Sequence, residues 1–180
     1  PVAAKFTGKK TGGVSSGTLT ITTTASSNLV LFRTWDSTKA KIEILNWACG
    51  GAAIADLSPV PSGYNQAAIM SLYSPHLTIA EVFHNDTVQS TPIATWIAGL
   101  ERLIVAAQTT GDIVILGGFP GDRAVFSGSN MAQRFEALAS LCKSYKVNLF
   151  DLRRIFGESY ADVQAEGMGF DTDHWNRRGG

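Results

Sequence analysis

The sequence predicts an α/β protein with a parallel sheet, and two contrasting patterns along the chain support this fold class. Residues 39–180 alternate short apolar runs with stretches of helical periodicity, which is typical of parallel strands joined by helices. Residues 1–38 combine Gly- and Ser-rich turns with Thr- and Val-rich alternation, which favours antiparallel β structure. We therefore place a boundary near Thr38 and interpret residues 1–38 as the end of an accessory β module.

The composition is that of a folded protein, and its balanced charge favours an uncharged partner. Hydrophobic residues make up 44% and charged residues 17% of the 180 residues, so the chain can bury one sizeable core. Fifteen basic residues balance fifteen acidic ones, and no basic cluster is larger than a pair, so no nucleic-acid partner is predicted. No apolar run reaches the roughly 18 residues of a membrane span, so no membrane partner is predicted either.

Neither metal nor other cofactor chemistry is predicted. His76, His84 and His174 are scattered along the chain, and no Cys-x-x-Cys or His-Glu-x-x-His spacing occurs. We interpret Cys49 and Cys142 as buried free thiols, although counting alone leaves a bridge between them open.

Four strands and two long helices are predicted after residue 38. The strands cover residues 41–46, 77–83, 112–116 and 147–152. The first long helix has Thr91 as its cap, Pro92 at its first position and an apolar stripe along one face. The second runs from an Asn130 cap to Tyr145, and a shorter helix is expected over residues 66–73.

Small and polar residues follow the first two strands, at the carboxyl edge of the predicted sheet, where reacting groups gather. Gly50 and Gly51 follow the first strand, and glycine there lets a backbone N–H approach a ligand closely. Asn85 and Asp86 follow the second, where the Asn85 carboxamide can donate to a developing oxyanion. Each pattern also occurs in ordinary turns, so neither is decisive alone.

A third pattern, near the end of the chain, pairs an acid with a base. Asp171 precedes His174 by three residues on a predicted loop. The carboxylate can orient the imidazole and stabilise its protonated form, as a general base beside a serine requires. Loop histidines are commonly non-catalytic, so this pattern gains weight only together with Gly51 and Asn85.

Jointly, these patterns resemble the sequence blocks of the SGNH, or GDSL-like, hydrolase family. The family's second block, an Asn followed by a Gly at the head of a helix, is matched by Asn46 and Gly51. Its third block, Gly-x-Asn-Asp, is matched at residues 83–86, except that Phe83 replaces the glycine and leaves the loop shape open. Its last block, Asp-x-x-His, is matched at residues 171–174.

The resemblance covers residues 39–180 and implies a flavodoxin-like three-layer α/β/α fold with serine-esterase activity. It implies that His174 is the general base and Asp171 its partner. It also implies that the Gly51 N–H and the Asn85 side chain form the oxyanion hole.

The family's first block, Gly-Asp-Ser after an apolar strand, does not occur in this sequence. Ser37 follows an apolar run but precedes Gly51 by only 14 residues, whereas a βαβ unit needs about 30. We interpret Ser37 as a turn residue, with a role as the nucleophile as the less favoured alternative. We expect the nucleophilic serine upstream of Pro1 or on a separate chain. The α/β core is then incomplete at both ends, since the family continues into a closing helix after Gly180.

The predicted function is hydrolysis of carboxylic esters through an acyl-serine, with an acetylated carbohydrate or another ester as the substrate. The β module suggests polysaccharide deacetylation by analogy, in a secreted or virion-associated protein. The alternative is a catalytically inactive SGNH-like module that binds a glycan or has a structural role, which the absence of Gly-Asp-Ser supports.

Overall fold

A computed structural model of the chain describes residues 51–57, 73–118, 128–157 and 159–167. It also describes a few single or short stretches, which are Ile42, 44–46, Ala48, 70–71, Gly121 and Phe126. The backbone divides into two units, Pro1–Ala48 and Cys49–Gly180, and all the elements named below belong to the second. The boundary predicted near Thr38 stays a prediction.

The strand predicted over residues 41–46 is not formed at its described positions, which are Ile42 and residues 44–46. Ile42 and Ile44 are almost fully exposed. An apolar alternation gives a strand only where the backbone finds a pairing partner and the side chains find cover. The sequence pattern alone did not guarantee either condition.

Three parallel strands form the sheet of the second unit in the order β1-β2-β3. They are β1 (Leu77–Glu81), β2 (Asp112–Gly117) and β3 (Asn148–Asp151). Ile79 lies beside Val114, and Ile115 lies beside Leu149. The predicted α/β fold with a parallel sheet is confirmed, and the three strands lie within one or two residues of their predicted ends.

Six helices are described by their bounds. They are α1 (Ile54–Leu57), α2 (His84–Val88), α3 (Ile93–Gln108), α4 (Gly128–Tyr145), α5 (Arg153–Phe156) and α6 (Tyr160–Ala165). Met70, Ser71 and Tyr73 are also helical, within the shorter helix expected over residues 66–73. None of the described helices is long and apolar enough to cross a membrane.

The two long helices differ from prediction at their starts. In α3 the cap position is Pro92, one residue later than Thr91, and no side chain caps the helix. Proline fits there because it has no N–H to satisfy. Helix α4 begins at Gly128, two residues before the predicted Asn130 cap, and ends at Tyr145 as predicted. Helix starts depend on local hydrogen bonds that the apolar stripe does not encode.

Helices lie on both faces of the sheet, but on one face Leu77, Ile79 and Phe150 remain more than half exposed. A Cβ added to Gly117 would lie 2.5 Å from Leu138 of α4, so α4 packs closely on the face that Gly117 shares with Ile115. Leu116 points to the opposite face and packs against a cluster of Leu152, Tyr160 and Val163, which includes two residues of α6. The chain therefore has the predicted three layers.

Candidate active site

Strand β1 ends in a tight connection to α2, which places the Asn-Asp pair at the carboxyl edge of the sheet. The Glu81 carboxylate accepts from the backbone N–H of Phe83 (3.0 Å) and of His84 (3.2 Å). These bonds satisfy two of the amides that a helix start leaves without an intrahelical partner. Asn85 and Asp86 therefore lie in the first turn of α2, directly after the strand.

Phe83, which replaces the glycine of the family pattern, fits this connection without strain. Its φ of −102° and ψ of −43° are ordinary for any L-residue, so the turn does not need glycine. Its side chain is fully buried and meets Trp96 edge to face, with ring centroids 5.6 Å apart. The Trp96 indole N–H donates to the carbonyl of Val82 at 2.8 Å. An aromatic anchor thus holds the strand end against α3.

Three side chains of the α2 region hold the segment that contains Gly51. The Gln89 side chain donates to the Gly51 carbonyl (2.8 Å), and the Asn85 side chain donates to the Ala52 carbonyl (3.0 Å). The Asp86 carboxylate accepts from the Ile54 N–H at 2.8 Å. The structure therefore brings together Gly51 and Asn85, two of the residues predicted for the site.

The local geometry at both positions is compatible with hydrogen-bond donation to a ligand. Gly51 is exposed and has a φ of +75°, a backbone conformation that glycine adopts at low cost. The Asn85 side chain is partly buried and uses one N–H on Ala52, and a carboxamide has two. The Asn85 carboxamide thus keeps a second N–H beyond the one bonded to Ala52.

Asp86 is the buried member of this group, with 1% of its surface exposed. Burial raises the pKa of its carboxyl group above the ordinary range, against the lowering effects of the Ile54 N–H, the Thr91 side chain and the Arg134 charge. Arg134, on α4, is 3% exposed, and burial lowers the pKa of its guanidinium while Asp86 opposes that shift. The two buried groups therefore interact electrostatically.

Two further groups lie near strand ends. The His84 ring stacks on Phe126 with centroids 4.8 Å apart. At the end of β3, the Asp151 carboxylate accepts two bonds of 2.9 Å from the Arg153 guanidinium. That guanidinium lies 3.6 Å from the centre of the Phe135 ring. Asp151 and Arg153 therefore stabilise each other at the end of β3, which β2 separates from β1.

The other residues predicted for the site, Asp171, His174 and Ser37, lie outside the described residues. Sequence reasoning gave no role to Gln89 or Arg134 and placed Asp86 only as a carboxylate at the strand end. Arg134 falls within the apolar stripe of α4, between Met131 and Leu138. A charged residue on a buried helix face needs a partner, and that was the available signal.

The described part of the chain has no group of three or more His, Cys, Asp or Glu residues placed to bind a metal ion. Cys142 is buried and free, as predicted, and burial raises the pKa of its thiol to about 11. Cys49 lies outside the described residues.

The described elements define an α/β chain with a parallel three-stranded sheet. No protein-family model matches the chain, and no curated protein matches it in sequence. Solved structures do match, and they confirm the predicted resemblance at the level of the fold.

The similar structures are acetyl xylan esterases. The chain superimposes on one of them, AlAXEase, with a TM-score of 0.57 and 17% identity over 73% of this chain and 72% of that chain. A second, the acetylxylan esterase of Geobacillus stearothermophilus, gives a TM-score of 0.52 and 13% identity over 72% of this chain. The match spans 63% of that enzyme. One variant of the same enzyme is described as a catalytic mutant and carries a serine-to-alanine change. At these identities the likeness shows the fold alone.

Proposed function

We propose that this protein is a serine esterase that hydrolyses carboxylic esters through an acyl-serine intermediate. The supporting observation is the position of Gly51 beside Asn85 at the carboxyl end of β1, where hydrogen bonds of 2.8 to 3.0 Å hold the two segments together. A parallel α/β sheet binds its ligands at this edge. The shared fold with acetyl xylan esterases agrees with this placement.

In the proposed mechanism, the serine oxygen attacks the ester carbonyl carbon while His174 takes the hydroxyl proton. Asp171 orients the imidazole and stabilises its protonated form. The Gly51 N–H and the Asn85 side chain donate to the oxyanion of the tetrahedral intermediate, and each donor contributes about 3 kcal/mol. His174 then returns the proton to the departing alcohol. Water, deprotonated by His174, attacks the acyl-serine to release the acid and restore the hydroxyl.

We propose that the serine comes from a further strand that pairs with the edge of β1 opposite to β2. Among the described strands, β1 pairs only with β2. A parallel strand added at this edge would end beside Gly51 and Asn85, because parallel strands share a carboxyl edge. The strand would belong to a segment upstream of Pro1 or to a separate chain.

The proposed substrate is an acetylated polysaccharide, from which the enzyme removes acetyl groups. Two of the similar structures are described as an acetyl xylan esterase and an acetyl-xylooligosaccharide esterase. Those substrates suggest the chemical class, a small acyl group on a sugar hydroxyl. A secreted or virion-associated location, where such polysaccharides are met, goes with this proposal.

The first experiment treats the protein, together with its serine-bearing segment, with a fluorophosphonate and with p-nitrophenyl acetate. We expect covalent labelling of one serine, found by peptide mass spectrometry, and loss of both labelling and turnover in His174→Ala. The matched control is His76→Ala, because His76 is exposed at the opposite end of β1. No labelling of the wild-type protein would favour the inactive glycan-binding or structural module, and labelling of Ser37 would restore that residue as the nucleophile.

A second experiment tests the substrate. The active protein is incubated with acetylated xylan and with other acetylated polysaccharides, and released acetate is measured. We expect acetate release that depends on His174. An active esterase that releases none from any polysaccharide would contradict the substrate but not the esterase proposal.

A further inference from the structure

The strongest feature outside the proposed mechanism is a buried pair of opposite charges, Asp86 and Arg134, with 1% and 3% of their surfaces exposed. Both lie among fully buried apolar side chains such as Trp96, whose ring centre is 5.6 Å from the Arg134 guanidinium carbon. Removing two charges from water costs several kcal/mol each, and apolar residues of similar volume commonly fill such a site at equal or better stability. Core packing alone therefore does not explain the pair.

The contacts of the pair connect three separate elements. Arg134, on α4, donates a hydrogen bond to the carbonyl of Thr91. Thr91, in the connection between α2 and α3, donates its backbone N–H to the carbonyl of Asp86 at 2.9 Å. The Asp86 carboxylate in turn accepts from the Ile54 N–H at the start of α1. A chain of hydrogen bonds thus runs from the long helix α4 to the segment that carries Gly51.

The end of this chain lies where the proposed oxyanion donors meet. Asp86 is adjacent to Asn85 in sequence, and Ile54 is three residues after Gly51. The Asp86–Ile54 bond is buried, whereas the Gln89–Gly51 bond is exposed and the Asn85–Ala52 bond is partly buried. Because water competes least for a buried bond to a charged acceptor, the Asp86 bond fixes the segment most firmly.

We propose that Asp86, held in place through Arg134 and Thr91, is a positioning residue that fixes residues 51–54 against Asn85. It thereby aims the Gly51 N–H and the Asn85 side chain at one oxyanion. This inference rests on the proposed esterase function. Asp86 touches neither the substrate nor the serine and acts through the backbone of α1. A displacement of about 1 Å of such donors lowers turnover by roughly 100-fold.

The test compares Asp86→Ala, Asp86→Asn and the wild-type protein, each with its serine-bearing segment. Asp86→Ala removes the acceptor of the Ile54 N–H, so we expect kcat for p-nitrophenyl acetate to fall about 100-fold while KM stays the same. Asp86→Asn keeps one acceptor oxygen at nearly the same size, so it recovers most of the lost kcat. In protein labelled with ¹⁵N-glycine, the Gly51 amide resonance shifts in Asp86→Ala and returns towards the wild-type position in Asp86→Asn.

Two other variants complete the design. Asp162→Ala is the matched control, because this carboxylate likewise accepts from a backbone N–H, that of Ser159 (2.9 Å), but at the start of α6 and not in residues 51–54. It lowers stability without changing kcat or the Gly51 resonance. Gln89→Ala removes the exposed bond to the Gly51 carbonyl and leaves the core intact, so it applies even if Asp86→Ala does not fold. We expect kcat to fall on the order of tenfold in that variant.

The outcomes separate this inference from the proposed function. An active wild-type enzyme whose kcat and Gly51 resonance are unchanged in Asp86→Ala would overturn the positioning role alone. If Asp86→Ala does not fold, kcat and the Gly51 resonance are measured in Arg134→Met, which removes the hydrogen bond to Thr91. Unchanged values in both Arg134→Met and Gln89→Ala then overturn the positioning role. A wild-type protein that hydrolyses no ester overturns the esterase proposal, and with it the catalytic part of the inference, even where the Gly51 resonance responds.

Discussion

Two carboxylates lie at the carboxyl ends of strands β1 and β3, and each interacts with arginine in a different way. Asp151 meets Arg153, two residues away, through two bonds of 2.9 Å at a partly exposed position. Asp86 is almost fully buried, and its arginine, Arg134, is 48 positions away in sequence. The first pair is local and the second connects distant elements.

The pKa values of the two carboxyl groups shift in opposite directions. Burial acts to raise both. At Asp151, the hydrogen bonds and charge of Arg153, with the charge of Arg154, outweigh burial and lower the pKa below its usual range. At Asp86, burial outweighs the Ile54 N–H and the Arg134 charge, so the pKa is raised. The Asp86–Arg134 pair is thus the one that costs folding free energy. Such a cost is expected where charged residues are kept because they hold other groups in place.

The largest effect expected from this difference is on stability. Arg134→Met keeps an unbranched apolar stem but leaves Asp86 buried without its cation, so the free energy of unfolding should fall by about 3–5 kcal/mol. Arg153→Met removes the partner of Asp151, where water can take over, and should cost about 1 kcal/mol or less. Urea denaturation near neutral pH measures both. Equal losses in the two variants would contradict the contrast between the pairs.

A smaller effect is the pH dependence of the Arg134→Met loss. Because the folded pKa of Asp86 is raised, this group stabilises the fold most below its unfolded value of 3.8, and that contribution is lost as the pH rises through the folded value. Removing the Arg134 charge raises the folded pKa further. The stability difference between wild type and Arg134→Met should therefore be largest near neutral pH and shrink on acidification.

The measurement is a series of urea denaturation curves for both proteins from about pH 7 down to about pH 4.5. Asp151→Asn is the control, because the pKa of Asp151 shifts in the opposite direction to that of Asp86. The folded pKa of Asp151 is lowered, so its stabilisation is present above the unfolded value of 3.8 and is lost as the pH falls through the folded value. The cost of Asp151→Asn should hence stay constant over the series. If the stability difference between wild type and Arg134→Met did not change with pH, Asp86 would not be the charged group that Arg134 stabilises.

The same contrast explains how far the sequence alone could lead. Asp151 and Arg153 are neighbours, and Gly51 and Asn85 follow strands whose apolar, β-branched runs are visible in the sequence. The parallel sheet and the two long helices were therefore predictable, whereas the strand expected before Gly51 is not formed at its described positions. The ties from Gln89 to Gly51 and from Arg134 to Thr91 span 38 and 43 positions, and they exist only after the elements have packed.

Residues 41–46 show a second limit of prediction from sequence. Their alternation of Ile with polar residues matched a strand, yet Ile42 and Ile44 are exposed in the structure. Alternation describes what a segment would present to a neighbouring strand and does not supply that neighbour. Local propensity thus predicted the strands that have pairing partners in the sheet and failed at residues 41–46, where Ile42 and Ile44 are almost fully exposed.

The smallest expected effect on stability comes from two glycines with positive φ, one beside Asn85 and one beside Arg153. Gly51 has a φ of +75°, and a Cβ added there would meet open space, so Gly51→Ala should cost only the conformational strain, about 1 kcal/mol. Gly118, at the end of β2, has a φ of +88°, and an added Cβ would lie 3.1 Å from Arg153 Cγ and 3.2 Å from the Phe135 ring. Gly118→Ala should therefore cost more, because it also crowds the side chain that holds Asp151. Thermal denaturation of the two variants ranks them. A larger loss in Gly51→Ala would show that the segment beside Asn85 is more closely surrounded than the region around Arg153.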